Sequence, residues 1–175
     1  MTFARLGLID PLLAALATLD YKTPTPVQVQ ALPAILAGRD LMAAAQTGTG
    51  KTAGFALPLL QLLATTGAPV ASNSVRALVL VPTRELAEQV CASIRGYGQN
   101  LPLRTCAVYG GVSINPQMMQ LRKGMDVVVA TPGRLLDLHR QNAIKFGQLQ
   151  VLVLDEADRM LDLGFSRELD AVFAA

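Results

Sequence analysis

Apolar residues fall along this chain in two rhythms. Short apolar runs occur at Asp40–Ala44, Ala77–Val81, Arg104–Tyr109, Asp126–Ala130 and Val151–Leu154. Near-continuous runs of this length predict strands buried on both faces. Between them lie longer segments with helical signals. Asp10-Pro11, Thr25-Pro26 and Asn115-Pro116 each read as a cap followed by a first-turn proline, and Gly38 and Gly124 stand where helices must stop. Strand and helix in alternation predict an α/β fold, a parallel sheet covered by helices on both faces. No internal repeat breaks the order, and the loop Gly67–Ser74 is too short to be a domain linker. In such sheets ligands bind outside the carboxyl ends of the strands. The polar clusters Gln46–Thr52, Pro82–Glu85, Gly110–Gly111, Thr131–Arg134 and Asp155–Asp158 follow the predicted strands one for one. All five are therefore expected on one edge of the sheet, as a single working surface.

Composition narrows the class. The 175 residues are 51% apolar and 16% charged, with a mean hydropathy of +0.38. Those values exclude intrinsic disorder, and the length suffices for a core without staples. Cys91 and Cys106 cannot build a disulfide framework or a cysteine metal site, and they read as small buried residues in a reducing cytoplasm. Net charge is only +2, but it is unevenly spread. Residues 1–154 carry thirteen basic and seven acidic side chains, whereas 155–175 carry two and six. Most of the chain can therefore face an anionic partner. Two segments mimic membrane signals. Asp10-Pro11 breaks the first, and Pro58, Gln61 and Thr65-Thr66-Gly67 interrupt the uncharged stretch 52–75 well short of a span of about 20 residues. No membrane association is expected.

Two clusters carry recognisable chemistry. Ala45–Thr52 reads AQTGTGKT between a predicted strand and a helix, where a phosphate-binding loop belongs. Gly48 and Gly50 let backbone amides curl around phosphate oxygens at a helix N-terminus. Lys51 can reach the β- and γ-phosphates, and the Thr52 hydroxyl can ligate Mg²⁺. Ala45 departs from the general pattern, which has glycine there. The bland alternative is a glycine-rich turn with a solvated lysine. Val151–Leu154 ends in Asp155 and Glu156, where one carboxylate can hold Mg²⁺ and the other can orient and deprotonate a water. An acidic first turn is the bland alternative there.

With these residues in view, the chain resembles the DEAD-box ATP-dependent RNA helicases. Asp155-Glu156-Ala157-Asp158 spells the name-giving tetrad, and AQTGTGKT is that family's variant of the loop. Pro82-Thr83-Arg84-Glu85-Leu86-Ala87, Gly110-Gly111 and Thr131-Pro132-Gly133-Arg134 also match, in the family's order. Tyr21–Gln28 resembles the family's Q motif, with Phe3 as its upstream aromatic, and the branch looks like the RhlE-type bacterial helicases. Asp20 departs from the glycine usual before the aromatic, which touches a turn more than a contact.

The resemblance implies a P-loop (RecA-like) sheet, with a Q-motif region at 1–30 and a core at 39–175. It implies ATP and Mg²⁺ as cofactors, with Tyr21 stacking on adenine, Gln28 reading its edge, and Gln46, Thr47, Gly48, Thr49, Gly50, Lys51 and Thr52 around the phosphates. Lys51, Asp155 and Glu156 would be catalytic, and Thr52 and Asp155 would serve the metal. Pro82, Thr83, Arg84, Gly110, Gly111, Thr131, Pro132, Gly133 and Arg134 would hold the RNA backbone largely without regard to sequence, and Asp158 would couple domains. A cytoplasmic location is implied, and the oligomeric state is left open. The family works with a second RecA-like domain, which this chain does not contain; nor does it contain a Ser-Ala-Thr motif. The sheet is accordingly expected to lack its last elements, and the chain alone to bind Mg-ATP weakly, hydrolyse it at most slowly and not unwind RNA. Two other readings stand beside this one, a stand-alone regulatory module derived from a helicase and a P-loop kinase or GTPase. His139 is expected at the surface rather than in catalysis, and Met118 and Met119 as core or gap-filling residues.

Overall fold

A computed structural model of the chain describes residues 2–44 and 48–175. They divide into two compact units, one comprising the described residues up to Gly67 with Ala92–Leu103, the other Ala68–Cys91 with Arg104–Ala175.

The first unit is helical. A 3₁₀ turn, Phe3–Leu6, precedes α1 (Asp10–Thr18), α2 (Pro26–Leu36) and α3 (Lys51–Thr66). Thr25 is the N-cap of α2 and Pro26 its first residue, as the Thr-Pro pair predicts. For α1 the cap is Ile9, one residue before the predicted Asp10. Beyond Lys51 the α3 helix is uncharged because it is buried, with Leu57, Leu59, Leu60 and Leu63 all at 1% exposure or less. Its Gln61 is no interruption: Oε1 accepts the Ile9 N–H (2.9 Å) and Nε2 donates to the Gly7 carbonyl (2.8 Å). Gly38, past the end of α2, adopts φ +72°, the left-handed stop expected of it.

Asp20 also stands in the left-handed region, at φ +58°. The family's usual glycine before the aromatic is thus explained by backbone geometry, which a β-carbon resists. We expect Asp20→Gly to stabilise the protein by about 0.5–1 kcal/mol in thermal unfolding. The Lys22–Asp20 ion pair lost with it is 81% exposed on both sides and contributes little.

The second unit holds the sheet. Strands β1 (Val75–Leu80), β2 (Thr105–Val108), β3 (Met125–Ala130) and β4 (Val151–Leu154) are all parallel, in the order β2-β3-β1-β4. Between and after them run α5 (Asn115–Leu121), α6 (Pro132–Arg140), α7 (Ala157–Asp162) and α8 (Ser166–Phe173), and α4 (Arg84–Tyr97) begins here after β1. Every residue of β1 and β3 is buried, so helices and loops cover both faces of the two central strands. The edge strands alternate instead, and Leu152 and Leu154 of β4 are exposed. Two charges lie inside the central strands. Arg76 of β1 pairs with Asp126 of β3 (Nη1 to Oδ1, 3.2 Å), and Asp126 Oδ2 accepts the Arg104 N–H (2.8 Å).

The expected strand Asp40–Ala44 is absent. These residues are exposed, Met42 almost entirely, and they join no ladder. The run contains no β-branched residue and two alanines, so nothing in it favours a pleated backbone once a ladder partner is missing. Met119 is a second correction: it is 64% exposed, while Met118 packs against the core. His139 is half-buried and stacks on Phe146 with ring centroids 5.0 Å apart, a structural role. Both cysteines are buried and outside any disulfide, as expected. No helix among the described residues is long and apolar enough to cross a membrane.

Candidate nucleotide and nucleic-acid sites

In the first unit, α3 opens from Gly50, which sits at φ +85°, and Gly54 N–H to Gly50 O (3.1 Å) is a bond of its first turn. The amides before that bond have no acceptor within the helix, and the helix dipole favours an anion at this end. Gly50 is needed twice over. Its φ disfavours a side chain, and a β-carbon there would overlap Gln28 Nε2. Gly48, at φ +83°, has open space where a β-carbon would stand. Lys51 and Thr52 are half-buried at the helix start, and Thr49 lies just before them. Gln46 and Thr47 lie outside the described residues.

Gln28 is 1% exposed and spans two elements. Its Oε1 accepts the Thr25 N–H (2.9 Å) and its Nε2 donates to the Gly50 carbonyl (3.0 Å). The residue expected to read adenine is therefore also the clasp between α2 and the phosphate loop. One N–H and one lone pair of the amide remain for a ligand. Tyr21 is 39% exposed and meets Tyr97 edge-on, with centroids 5.8 Å apart and the hydroxyls 3.1 Å apart. Burial, and then the hydrogen bond with Tyr21, push the Tyr97 phenol well above its ordinary range. An open cavity of about 560 Å³ at the start of α2 is bordered by Thr25, Pro26, Val27, Gln30 and Thr49 together with residues 41–44; Gln28 and Tyr21 do not line it.

In the second unit the strand ends are in register. Leu80 of β1 is opposite both Ala130 of β3 and Leu154 of β4, and Ala130 is opposite Val108 of β2. The four clusters that follow, at 82–85, 110–111, 131–134 and 155–158, thus leave the sheet at one level along its carboxyl edge. Four of the five expected clusters share that edge. The fifth follows the segment 40–44, which is not a strand.

Each cluster is built by its turn. Thr83 caps α4, its Oγ1 accepting the Leu86 N–H (3.2 Å); Pro82 is buried and Arg84 is exposed. At Gly110 and Gly111 a β-carbon would meet nothing, and Gly111 adopts φ +78°. Thr131 is the N-cap of α6 and Pro132 its first residue, but the Thr131 hydroxyl makes no capping bond. The N–H groups of Gly133 and Arg134 precede the bond from Leu135 N–H to Thr131 O (3.1 Å), which leaves them without a helical acceptor. Arg134 Nη2 donates to the Val112 carbonyl (2.7 Å), while its Nε and Nη1 are shielded from water without a hydrogen-bond partner. An anionic ligand would satisfy such donors.

At the end of β4, Asp155 and Glu156 are half-buried. Glu156 is held at φ +54°, ψ +49°, and its Oε2 meets Arg159 Nη1 at 3.1 Å. A left-handed non-glycine residue costs on the order of 1–3 kcal/mol, and such strain recurs at functional positions. Asp158 is exposed and its Oδ1 accepts the Arg159 N–H (2.9 Å). Sequence reasoning missed the groups that touch these clusters from neighbouring positions, namely Arg159, Glu88 and Tyr109. The only signal for Arg159 and Glu88 was helical spacing from Glu156 and Arg84, and Tyr109 had none.

The DEAD/DEAH box helicase family profile matches residues 25–175. The chain is 46% identical over 173 residues to the ATP-dependent rRNA helicase rrp3 of Aspergillus niger, covering 98% of this chain and 36% of that protein. It is 43% identical over 171 residues to the RNA helicase CrhR of Synechocystis sp., covering 98% and 34% respectively. It is 41% identical over 174 residues to the pre-mRNA-processing ATP-dependent RNA helicase prp-5 of Neurospora crassa, covering 98% and 15%. The chain thus spans well under half the length of each of these relatives.

Proposed function

The chain belongs to the DEAD/DEAH box helicase family, and from that premise we propose that it is the ATP-binding part of an ATP-dependent RNA helicase. Such an enzyme couples ATP binding and hydrolysis to local unwinding of an RNA duplex. The domain reading is part of the proposal: a Q-motif region at 1–30, a RecA-like core at 39–175, and a second RecA-like domain as partner. Alone, the chain binds ATP weakly and does not unwind. The observation that carries this reading is the in-register carboxyl edge, where three clusters bearing glycine, threonine or arginine and the acidic Asp155–Asp158 leave one sheet together.

The roles follow from the chemistry of each residue. Tyr21 stacks on the adenine and the Gln28 amide pairs with its edge. Gln46, Thr47, Gly48, Thr49 and Gly50 cradle the phosphates with Lys51. Thr52 and Asp155 offer hydroxyl and carboxylate oxygens, the hard donors that Mg²⁺ prefers, and both side chains are partly open to solvent. When bound, the metal neutralises phosphate charge. Glu156 orients the attacking water and takes its proton. Arg84, Arg134, Thr131 and the Gly110-Gly111 and Gly133 amides, on turns shaped by Pro82, Thr83 and Pro132, hold RNA phosphates and sugars, a mode of binding that reads no sequence. Asp158 couples the domains. The cytoplasm is the proposed compartment.

Thermal unfolding of this chain separates the proposal from a kinase or GTPase. At ten times its dissociation constant, Mg-ATP is expected to raise the midpoint by about 3–6 °C. Mg-GTP should leave it in place, and Gln28→Ala should abolish the preference. An equal or larger rise with GTP would overturn the reading.

A further inference from the structure

Three side chains beside the RNA clusters form one arrangement. Arg84 and Glu88 sit four residues apart on α4, both about half exposed, and Tyr109 ends the segment that leads into Gly110-Gly111. An arginine and a glutamate at that spacing on a wet helix face ordinarily close into a direct pair. Here Arg84 Nε and Glu88 Oε1 stand 3.8 Å apart, an ion pair that stops short of a hydrogen bond. The same Oε1 also accepts a hydrogen bond from the Tyr109 hydroxyl. The guanidinium lies over the Tyr109 ring, Cζ 4.9 Å from the centroid.

We propose that Tyr109 is a positioning residue for RNA binding: its hydroxyl occupies Glu88, and so keeps that carboxylate from capturing the guanidinium of Arg84. The inference rests on the reading that Arg84 contacts RNA phosphate. A carboxylate fork would take two guanidinium donors, whereas Tyr109 offers Arg84 its ring face and one hydroxyl oxygen, which leaves more of the donors for a ligand. Phosphate recognition needs those donors. Tyr109 is itself anchored, because its carbonyl accepts from Nε2 of the buried Gln117 (3.1 Å). The Glu88 carboxylate also raises the Tyr109 phenol above its ordinary value, so the hydroxyl keeps its proton at neutral pH.

The test is a double-mutant cycle read by anisotropy of a labelled single-stranded oligouridylate titrated with the full chain. Arg84→Ala should weaken RNA binding and lower the salt slope by about one. Tyr109→Phe keeps the ring and loses the hydroxyl. It should weaken binding about twofold to fivefold, the range carried by an exposed charge pair. Glu88→Gln should bind at least as tightly as the parent, and in that background Tyr109→Phe should have no further effect. Equal loss in both backgrounds would show a merely structural hydroxyl and overturn the inference, as would Tyr109→Phe binding unchanged in the parent. A parent chain that binds no RNA, or an Arg84→Ala variant that binds like the parent, would overturn the functional reading itself and this inference with it.

Discussion

Asp126→Ala is expected to cost about 3–5 kcal/mol of folding free energy, the largest effect of any single change outside the hydrophobic core. Asp126 lies at the amino end of β3, the end of the sheet away from the polar clusters, and its side chain is 7% exposed. It faces Arg76, whose side chain is 2% exposed in β1, and it also accepts the Arg104 N–H. Removing the carboxylate leaves a guanidinium charge in a dry site and orphans a backbone donor. A domain of this size should then melt roughly 6–20 °C lower. Replacing both members, as in Arg76→Leu with Asp126→Val, should recover much of the loss, because apolar packing substitutes well for a buried pair while a lone buried charge is costly. A single-variant loss below about 1 kcal/mol would show that water reaches the site.

Glu156→Gln should produce the largest functional effect. In the complete protein, ATP hydrolysis is expected to fall by about 10²–10⁴-fold, the usual contribution of a positioned general base, while the dissociation constant for ATP stays within about twofold. The geometry explains why the substitution is clean. Glutamine has the same length, can keep the Arg159 contact at Glu156 Oε2, and leaves the left-handed turn that aims residue 156 unchanged. Only the basicity is lost. Unchanged turnover would remove Glu156 from the chemistry.

How much of this was legible in the sequence depends on how local the determinant is. The central strands could be read because Val75–Leu80 and Met125–Ala130 are buried on both faces, which forces an apolar run. The start of α2 was legible because Thr25-Pro26 encodes cap and first turn in two adjacent residues. Asp40–Ala44 misled because hydrophobicity alone does not make a strand. Its ladder partner is a tertiary matter, and its leucine, methionine and alanines carry little intrinsic preference for one. The chemistry-bearing clusters were legible as motifs, and the sheet register then supplied what the motifs lacked, a common level for four of them. Pairings between distant segments were invisible. Arg76 with Asp126 and Glu88 with Tyr109 join different elements, and the only hint of the first was a charge inside each of two apolar strands. Gln28 shows the mixed case, its capping bond to Thr25 readable from spacing and its bond to Gly50 readable only from the fold.

The central claim is that the sheet edge and the phosphate loop serve one RNA-coupled reaction. It is tested most directly by ATP hydrolysis of the complete protein with and without single-stranded RNA, with Glu156→Gln as the background control. The account predicts hydrolysis that rises on adding RNA of any sequence and stays at background in Glu156→Gln. Hydrolysis by the parent that is indifferent to RNA would contradict it.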